Sequence, residues 1–582
     1  MPRLTRAGLI LAIFGGLLAV SLPQADSYTL IKLVAISAGG LLAWVGLSGS
    51  PLRATALDRP LAALWAAMLV STGLSADPAL SVLGVYPQSF YGLLPLGLCT
   101  ALYYAAAMGP EDPGEDLLTA ALAASIPLTL FGVWQRMFGD PVTKALLPEG
   151  TRITSTIGNP VMLGACLVLL FPIALHRTLT GKSRLWPFCG ALLILALWLT
   201  VARGSWLSAV VSVAVYLRLT GRVRPKARHW LALVLCAPLV FWTMQRVMNK
   251  KSSDSLRVET IKSGLAAFAA RPLLGWGPDT FMIAFRRHKT DEFLRVAHNS
   301  PTIQLNAHND LLQAAVTLGA AGLLAYLWLL WTLGARLLSS ARADGSAAAI
   351  AASLAGLFVQ AKLNPIPLSA LALAAIMMGL VCRGRAPLRP AASRAATGLA
   401  VVFCAACALL YGRLCRADFL FRRGHEIVYT SILGEPAYMD GVNALRLATE
   451  LNPWSIEYLL ERCGNLFRVV PFIPPDQARE LLAKARLLTA EGVRLHPENP
   501  MVHELRATAL ALSSKHGEDS LREAQKEIQL ASEMDPSFVF SLRRRMDIAR
   551  ALGDREDFER TKKRYIRVSE LSGERAEWKP LL

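Results

Sequence analysis

Long apolar runs, broken at short intervals by proline, glycine and charge, dominate the first 415 of the 582 positions. A helix needs about 17–25 apolar residues to cross a bilayer. Thirteen such runs stand at 7–22, 28–47, 60–76, 90–108, 117–136, 159–175, 186–201, 205–217, 230–247, 310–334, 346–362, 366–382 and 396–412. The stretch 186–217 is longer than one helix needs even when tilted, and Arg203-Gly204-Ser205 interrupts it. A lipid-facing arginine at mid-bilayer costs at least about 2.5–3.5 kcal/mol, so the run is divided there and Arg203 is placed at the membrane surface. The pattern predicts an all-α chain: a polytopic membrane helix bundle of about 12–13 spans in residues 1–415, then a soluble α-helical repeat domain in 416–582.

The second part has a different period. Three apolar helices end in a polar residue followed by proline, at Asn452-Pro453, His496-Pro497 and Asp535-Pro536, spaced by about 44 and 39 residues. Proline stops a helix because it lacks the N–H and clashes with the preceding turn. The spacing resembles tetratricopeptide repeats with short insertions, and a stack of about three such hairpins would offer a concave face to a partner. An ordinary helical bundle without a ligand is the alternative.

Composition sharpens this division. Charged residues make up 18% of the chain, against about 25% in soluble proteins, which excludes a wholly cytosolic enzyme. The net charge is +19, yet the chain from Arg416 onward holds about 26 residues of each sign, so the excess belongs to the loops of the first part. Such an excess records membrane topology and not affinity for nucleic acid. Arg53, Arg59, Arg177, Lys182, Arg218, Arg336, Arg383 and their neighbours fall in one set of connections, which is therefore cytoplasmic together with the N-terminus. With an odd span count, the segment 248–308 and everything after Arg413 fall outside, in the periplasm if the cell is Gram-negative. The first run follows Arg3 and Arg6 but has no small-x-small cleavage site, so it is expected to remain as a membrane helix. Nine cysteines lie mostly within apolar runs without metal-ligand spacing, and no metal or cofactor is expected. Lys32 and Lys362 lie near span ends, where they are expected to snorkel.

On this topology Arg152, Arg203, Arg257 and His308 all lie at or near the outer surface. Ionisable groups near membrane depth are functional candidates, and planar guanidinium groups give bidentate bonds to phosphate oxygens. Three arginines on one outer cavity would suit a diphosphate. Each also has an ordinary reading: Arg152 as a snorkelling residue, Arg203 as a turn marker, Arg257 as part of a solvated face. His308, in Asn306-Ala307-His308-Asn309-Asp310, could take a proton from a hydroxyl at neutral pH, or it could simply cap the next helix. His298-Asn299 is a rival, set in a Pro- and Asn-rich stretch with nothing to hold it; Asn309 and His298 are kept as possible supporting residues. The basic cluster Arg286-Arg287-His288-Lys289 on the outer loop reads as an ordinary solvated or juxtamembrane patch, or as one that could meet the phosphates of a lipid acceptor.

Taken together, Gly158-Asn159-Pro160 after Arg152, Ala202-Arg203-Gly204-Ser205-Trp206, the outer-loop block from Pro272 through Gly275-Trp276-Gly277 to Phe281, then Ala307-His308-Asn309-Asp310 and Gly319 resemble the O-antigen ligase superfamily. That superfamily also holds O-antigen polymerases and bacterial protein O-oligosaccharyltransferases. The resemblance covers most of residues 50–385. It implies a metal-independent glycosyltransferase of the bacterial inner membrane. Its donor would be a glycan on undecaprenyl pyrophosphate, and its acceptor a hydroxyl on the periplasmic side. On the family pattern His308 would activate the acceptor, while Arg203, Arg257 and, less directly, Arg152 would hold the pyrophosphate. Gly275 and Gly277 look like a turn between loop helices. Two departures bear on the acceptor: an added outer repeat domain, and Val316-Thr317-Leu318 before Gly319 where an acidic residue often precedes the glycine.

The acceptor could therefore be lipid A-core (a ligase), another lipid-linked repeat unit (a polymerase) or a protein. The repeat domain could dock an envelope protein. From another class, the chain could be a non-catalytic scaffold for envelope assembly. A transporter fits less well, because no inverted repeat is found and no ionisable residue sits at mid-membrane depth.

Overall fold

The structure is a computed structural model that describes residues 2–86, 91–108, 114–140, 152–221, 251–297, 303–342, 344–383, 387–432 and 435–573, the side chains of 251–254 excepted. Among these residues there are helices and no strand, the one bridge being Arg53 with Pro387.

The membrane part contains α1 (Arg3–Leu18), α2 (Leu30–Gly46), α3 (Asp58–Gly73), a short α4 (Pro78–Leu83), α5 (Leu93–Ala107), α6 (Glu115–Phe138), α7 (Pro160–Thr180), α8 (Leu185–Leu199) and α9 (Arg203–Leu219). After the outer segment come α13 (Asp310–Ala341), α14 (Gly345–Ala361), α15 (Leu368–Val381) and α16 (Pro390–Thr430). Twelve of the thirteen expected spans coincide with a helix, and the thirteenth, 230–247, lies outside the described residues. By length and hydropathy α6, α7, α13 and α16 can each cross a membrane, whereas α2, α5, α8, α14 and α15 are shorter apolar helices. The division of 186–217 is seen directly: α8 ends at Leu199, Val201 takes φ +49°, and Arg203 opens α9. Across that break Trp198 and Trp206 stack with centroids 5.1 Å apart.

Two lysines depart from expectation. Lys32 does not snorkel; it is 3% exposed and its Nζ donates to the Ala19 carbonyl at 2.5 Å. Lys362 is gripped by both carboxylate oxygens of Asp310, at 2.5 and 2.6 Å. In both cases a nearby oxygen satisfies the ammonium locally, so the stem has no reason to reach for water.

The outer segment folds into α10 (Lys251–Ala270), α11 (Phe281–His288) and α12 (Asp291–Ala297) around a small core that includes Ala267, Trp276, Phe281, Phe285 and Phe293. The Gly275–Gly277 turn between α10 and α11 is as expected, with φ of +71° and +115°. It packs backbone to backbone on α13, where Gly319 breaks the helix with φ +66°. A Cβ on Gly319 would lie 2.3 Å from Leu273, and one on Gly275 2.4 Å from Thr317, so neither position has room for a side chain. Trp276 and Gly277 donate to the carbonyls of Val316 and Thr317 at 3.1 and 2.9 Å, satisfying the groups that the break in α13 frees.

The tail is a row of seven helices, each packed on the next: α17 (Pro436–Leu451), α18 (Ile456–Val469), α19 (Pro475–Leu495), α20 (Pro500–Lys515), α21 (Leu521–Met534), α22 (Val539–Leu552) and α23 (Arg555–Ser572). The three polar-Pro signals fall on the C-caps of α17, α19 and α21, at Asn452, His496 and Asp535. The boundary drawn at residue 415 lies inside α16, which runs unbroken for 41 residues into the tail.

Candidate functional site

The loop before α13 is built from side chains that hold backbone. Ala307 N–H donates to Gln313 Oε1 at 2.9 Å, and His308 N–H donates to Asn306 Oδ1 at 3.2 Å. Between these two anchors His308 adopts φ +52°, a left-handed conformation uncommon for any residue but glycine. The capping role belongs to Asn309, whose Oδ1 accepts from Leu311 and Leu312 N–H at 3.0 and 3.1 Å and whose Nδ2 donates to the Lys362 carbonyl at 3.3 Å. Asn159 does the same for α7, behind Gly158 at φ +80°. With the cap supplied by its neighbour, the His308 ring is left for other work. Its Nδ1 is buried without a hydrogen-bond partner among the described residues. Burial, and then the charge of Arg257, push the imidazole pKa down to about 4, so the ring is neutral at pH 7.

Arg257, on α10, donates from Nη2 to Asn364 Oδ1 at 3.1 Å. Asn364 belongs to the short α14–α15 connection and is 4% exposed. Its Nδ2 lies against Gly204, where a Cβ would approach to 2.8 Å. One carboxamide thus joins the segment carrying Arg257 to the start of α9, where Arg203 sits. Arg152 is anchored by its Nε, which donates to the Thr200 carbonyl at 2.7 Å. Burial, and the nearby charge of Arg203, hold its pKa below the usual arginine value. Arg152, Arg203, Arg257 and His308 therefore come together at one end of the bundle. His298 lies outside the described residues.

Beside this cluster lies a cavity of about 1150 Å³ between α3, α5, α9, α13, α14 and α15. Its walls are apolar, with Trp65, Trp328 and Phe358 among them, and its polar positions include Asp310 and Gln313 at the start of α13. Asp310 is held by Lys362 and by the Tyr326 hydroxyl at 2.7 Å, while Gln313 Nε2 is buried without a hydrogen-bond partner among the described residues. Among the described residues no three His, Cys, Asp or Glu side chains come together as a metal-ligand set.

The basic cluster of the outer loop is placed elsewhere. Lys289 and Arg286, 3% and 2% exposed at the side chain, face Asp535 of the tail at 3.0 and 3.9 Å. Arg287 pairs with Glu498 at 3.4 Å, and His288 Nδ1 lies 2.9 Å from the Ala284 carbonyl. These cations face protein carboxylates and carbonyls, which overturns the expectation that they meet acceptor phosphates.

The sequence did not single out Asn364, Gln313 and Asn306. Neutral amides carry no charge or period to mark them.

The class these features define is an all-α membrane protein with a polar site at one end of the bundle, next to a large apolar cavity. Residues 188–327 match the family model described as O-antigen ligase, a span that runs from α8 into α13 and contains Arg203, Arg257 and His308 but not Arg152 or the tail. No curated protein matches the chain.

Proposed function

We propose that this chain is a glycosyltransferase of the bacterial inner membrane that moves a glycan from an undecaprenyl-pyrophosphate carrier to an acceptor hydroxyl on the periplasmic side. The observation that carries this reading is His308: a neutral imidazole with an unpartnered, buried Nδ1, held in a strained backbone beside Arg257. Proton acceptance is the chemistry open to such a ring. His308 takes the proton of the acceptor hydroxyl as its oxygen bonds to the anomeric carbon. The bond from that carbon to the phosphate oxygen breaks, and its electron pair leaves with the pyrophosphate. Arg203 and Arg257, with Arg152 behind them, stabilise the charge that develops on that leaving group. The apolar cavity beside Asp310 and Gln313 has the chemistry to take a length of polyprenyl chain. The tail, docked on the same end of the bundle, is assigned to the periplasm and read as a tetratricopeptide-like array. The match over 188–327 supports the family, and the acceptor we favour is lipid A-core.

The test uses protein reconstituted in liposomes with a labelled undecaprenyl-pyrophosphate oligosaccharide and lipid A-core. Label moving to lipid A-core in wild type and not in His308→Ala is the expected result. Label lengthening on its own carrier would make the chain a polymerase, and transfer independent of His308 would remove the proposed base. No transfer to either acceptor would sink this function and leave protein glycosylation or a scaffold.

A further inference from the structure

Two of the polar-Pro positions, His496 and Asp535, carry contacts from the tail to the rest of the chain. Each polar-Pro signal ends a helix of the row, and each polar residue in it is buried. His496 Nδ1 lies 2.7 Å from Asp77 Oδ2, with the side chains 1% and 0% exposed, in the connection after α3. Asp535 takes Lys289 and Arg286 of the outer loop. Two residues past His496, Glu498 meets Arg271 at 2.7 Å and Arg287 at 3.4 Å. At the far end Leu294 of α12 is buried among Leu542, Met546, Tyr565 and Val568 of α22 and α23, and Arg567 pairs with Asp291. Below them Asp418 of α16 accepts from the Tyr86 and Tyr458 hydroxyls at 2.5 and 2.7 Å.

Asp535 and Glu498 grip the segment that builds the candidate site directly, and His496 grips it through the α3–α4 segment. There Ala76 N–H donates to the Trp276 carbonyl and Ser81 Oγ to that of Pro278, both at 2.9 Å. α10 carries Arg257, and Glu259 two residues on ties α10 to Thr290 beside α12 at 2.7 Å. The Pro272–Gly277 backbone is bonded to α13 across the Gly319 break, through Trp276, Gly277, Ala320 and Ala321, on the helix that His308 precedes. A chain of packed contacts thus runs from the repeat turns through α10–α12 to Arg257 and His308.

We infer that the helical tail acts in cis as a brace, its repeat-turn edge clamping α10–α12 so that Arg257 and His308 stay in register, which makes Asp535, His496 and Lys289 positioning residues for the transfer site. The inference rests on the function proposed above. It also reassigns that edge of the tail, which is an internal seam and not a surface held out to another envelope protein.

The experiment uses the full chain in nanodiscs with the labelled donor and lipid A-core. Lys289→Glu sets two carboxylates face to face, and Lys289→Arg keeps the pair. His496→Ala removes an independent part of the clamp. Transfer kinetics and amide hydrogen exchange are measured on the same samples. In Lys289→Glu and His496→Ala we expect kcat to fall at least tenfold (about 1.4 kcal/mol of barrier) with the donor KM within about twofold, and Lys289→Arg to stay near wild type. Exchange should rise across 255–297 while α20 and α21 keep their protection, which separates undocking from unfolding of the tail. Faster exchange in 255–297 with unchanged kcat would overturn the inference, as would unchanged exchange in both breaking variants. If the wild-type chain transfers no label, the proposed function fails by itself, and the exchange data still decide whether the tail clamps the loop.

Discussion

Two groups of cations lie on the same side of this molecule and meet opposite surroundings. Arg152 and Arg257 donate to a backbone carbonyl and a carboxamide, neutral oxygens that orient a guanidinium. Arg286, Arg287 and Lys289 face Asp535 and Glu498, and two of the three are sealed from water. Neither of these two contacts in the first group is itself an ion pair. The second spends its field on joining two parts of one chain. A run of basic residues in a loop therefore says little by itself, because the partner decides whether a cation recruits or fastens.

Substitutions can break or sharpen this contrast. The largest effect is expected at the group the first set surrounds: His308→Ala should lower transfer by about 10²–10⁴-fold without moving the thermal unfolding midpoint. Arg257→Ala should cost about 10²–10³-fold, the scale of one lost charge-stabilising donor, and Arg257→Lys should recover only part of it because the planar fork is lost. On the other side, Asp535→Ala leaves Lys289 and Arg286 buried without a counter-charge. Breaking a buried pair in this way costs about 3–5 kcal/mol, read as a lower unfolding midpoint in detergent. A change in activity alone, with the midpoint unmoved, would erase the distinction between the two groups.

The pH profile separates them further. The folded-state pKa of His308 is about 4, below the ordinary value of 6.5. The ring is therefore neutral and able to accept a proton at pH 7, and kcat/KM should stay level from pH 7 to 5 and decline only as pH falls toward 4. The same depression makes the folded state lose stability as pH drops from 6.5 to 4. An acidic inflection near 6.5 would mean that burial and Arg257 do not act on the ring as described. The smallest effect is expected at Arg287→Ala, half-exposed and sharing Glu498 with Arg271, where less than about 1 kcal/mol should be lost.

How much of this was legible in the chain depends on the range of the signal. Hydropathy is local, so the helices were readable, down to the break before Arg203. The helix stops at Asn452, His496 and Asp535 were readable because proline enforces them within a turn. The residues now gathered at one end of the bundle could be named from their order along the chain. What joins them could not be read. Asn364, a neutral amide 107 positions from Arg257, links it to Gly204, and Lys289 meets Asp535 across 246. Charge at one position does not disclose a partner that far away. Lys362 shows the same limit, since its proximity to a span end suggested water when Asp310 was waiting one helix earlier.

The span between Lys289 and Asp535 also sets a schedule. A chain made from its N-terminus at roughly 5–20 residues per second presents Lys289 some 10–50 s before its carboxylate exists. Through that interval the outer loop lacks its contact with Asp535, and Arg257 relies on partners made earlier, such as Asn364 and the bonds of the Pro272–Gly277 turn to α13. On the inferred brace the proposed site is complete only late, when the last helices of the tail arrive, and a chain interrupted before Asp535 would have its membrane helices built and its outer loop unbraced.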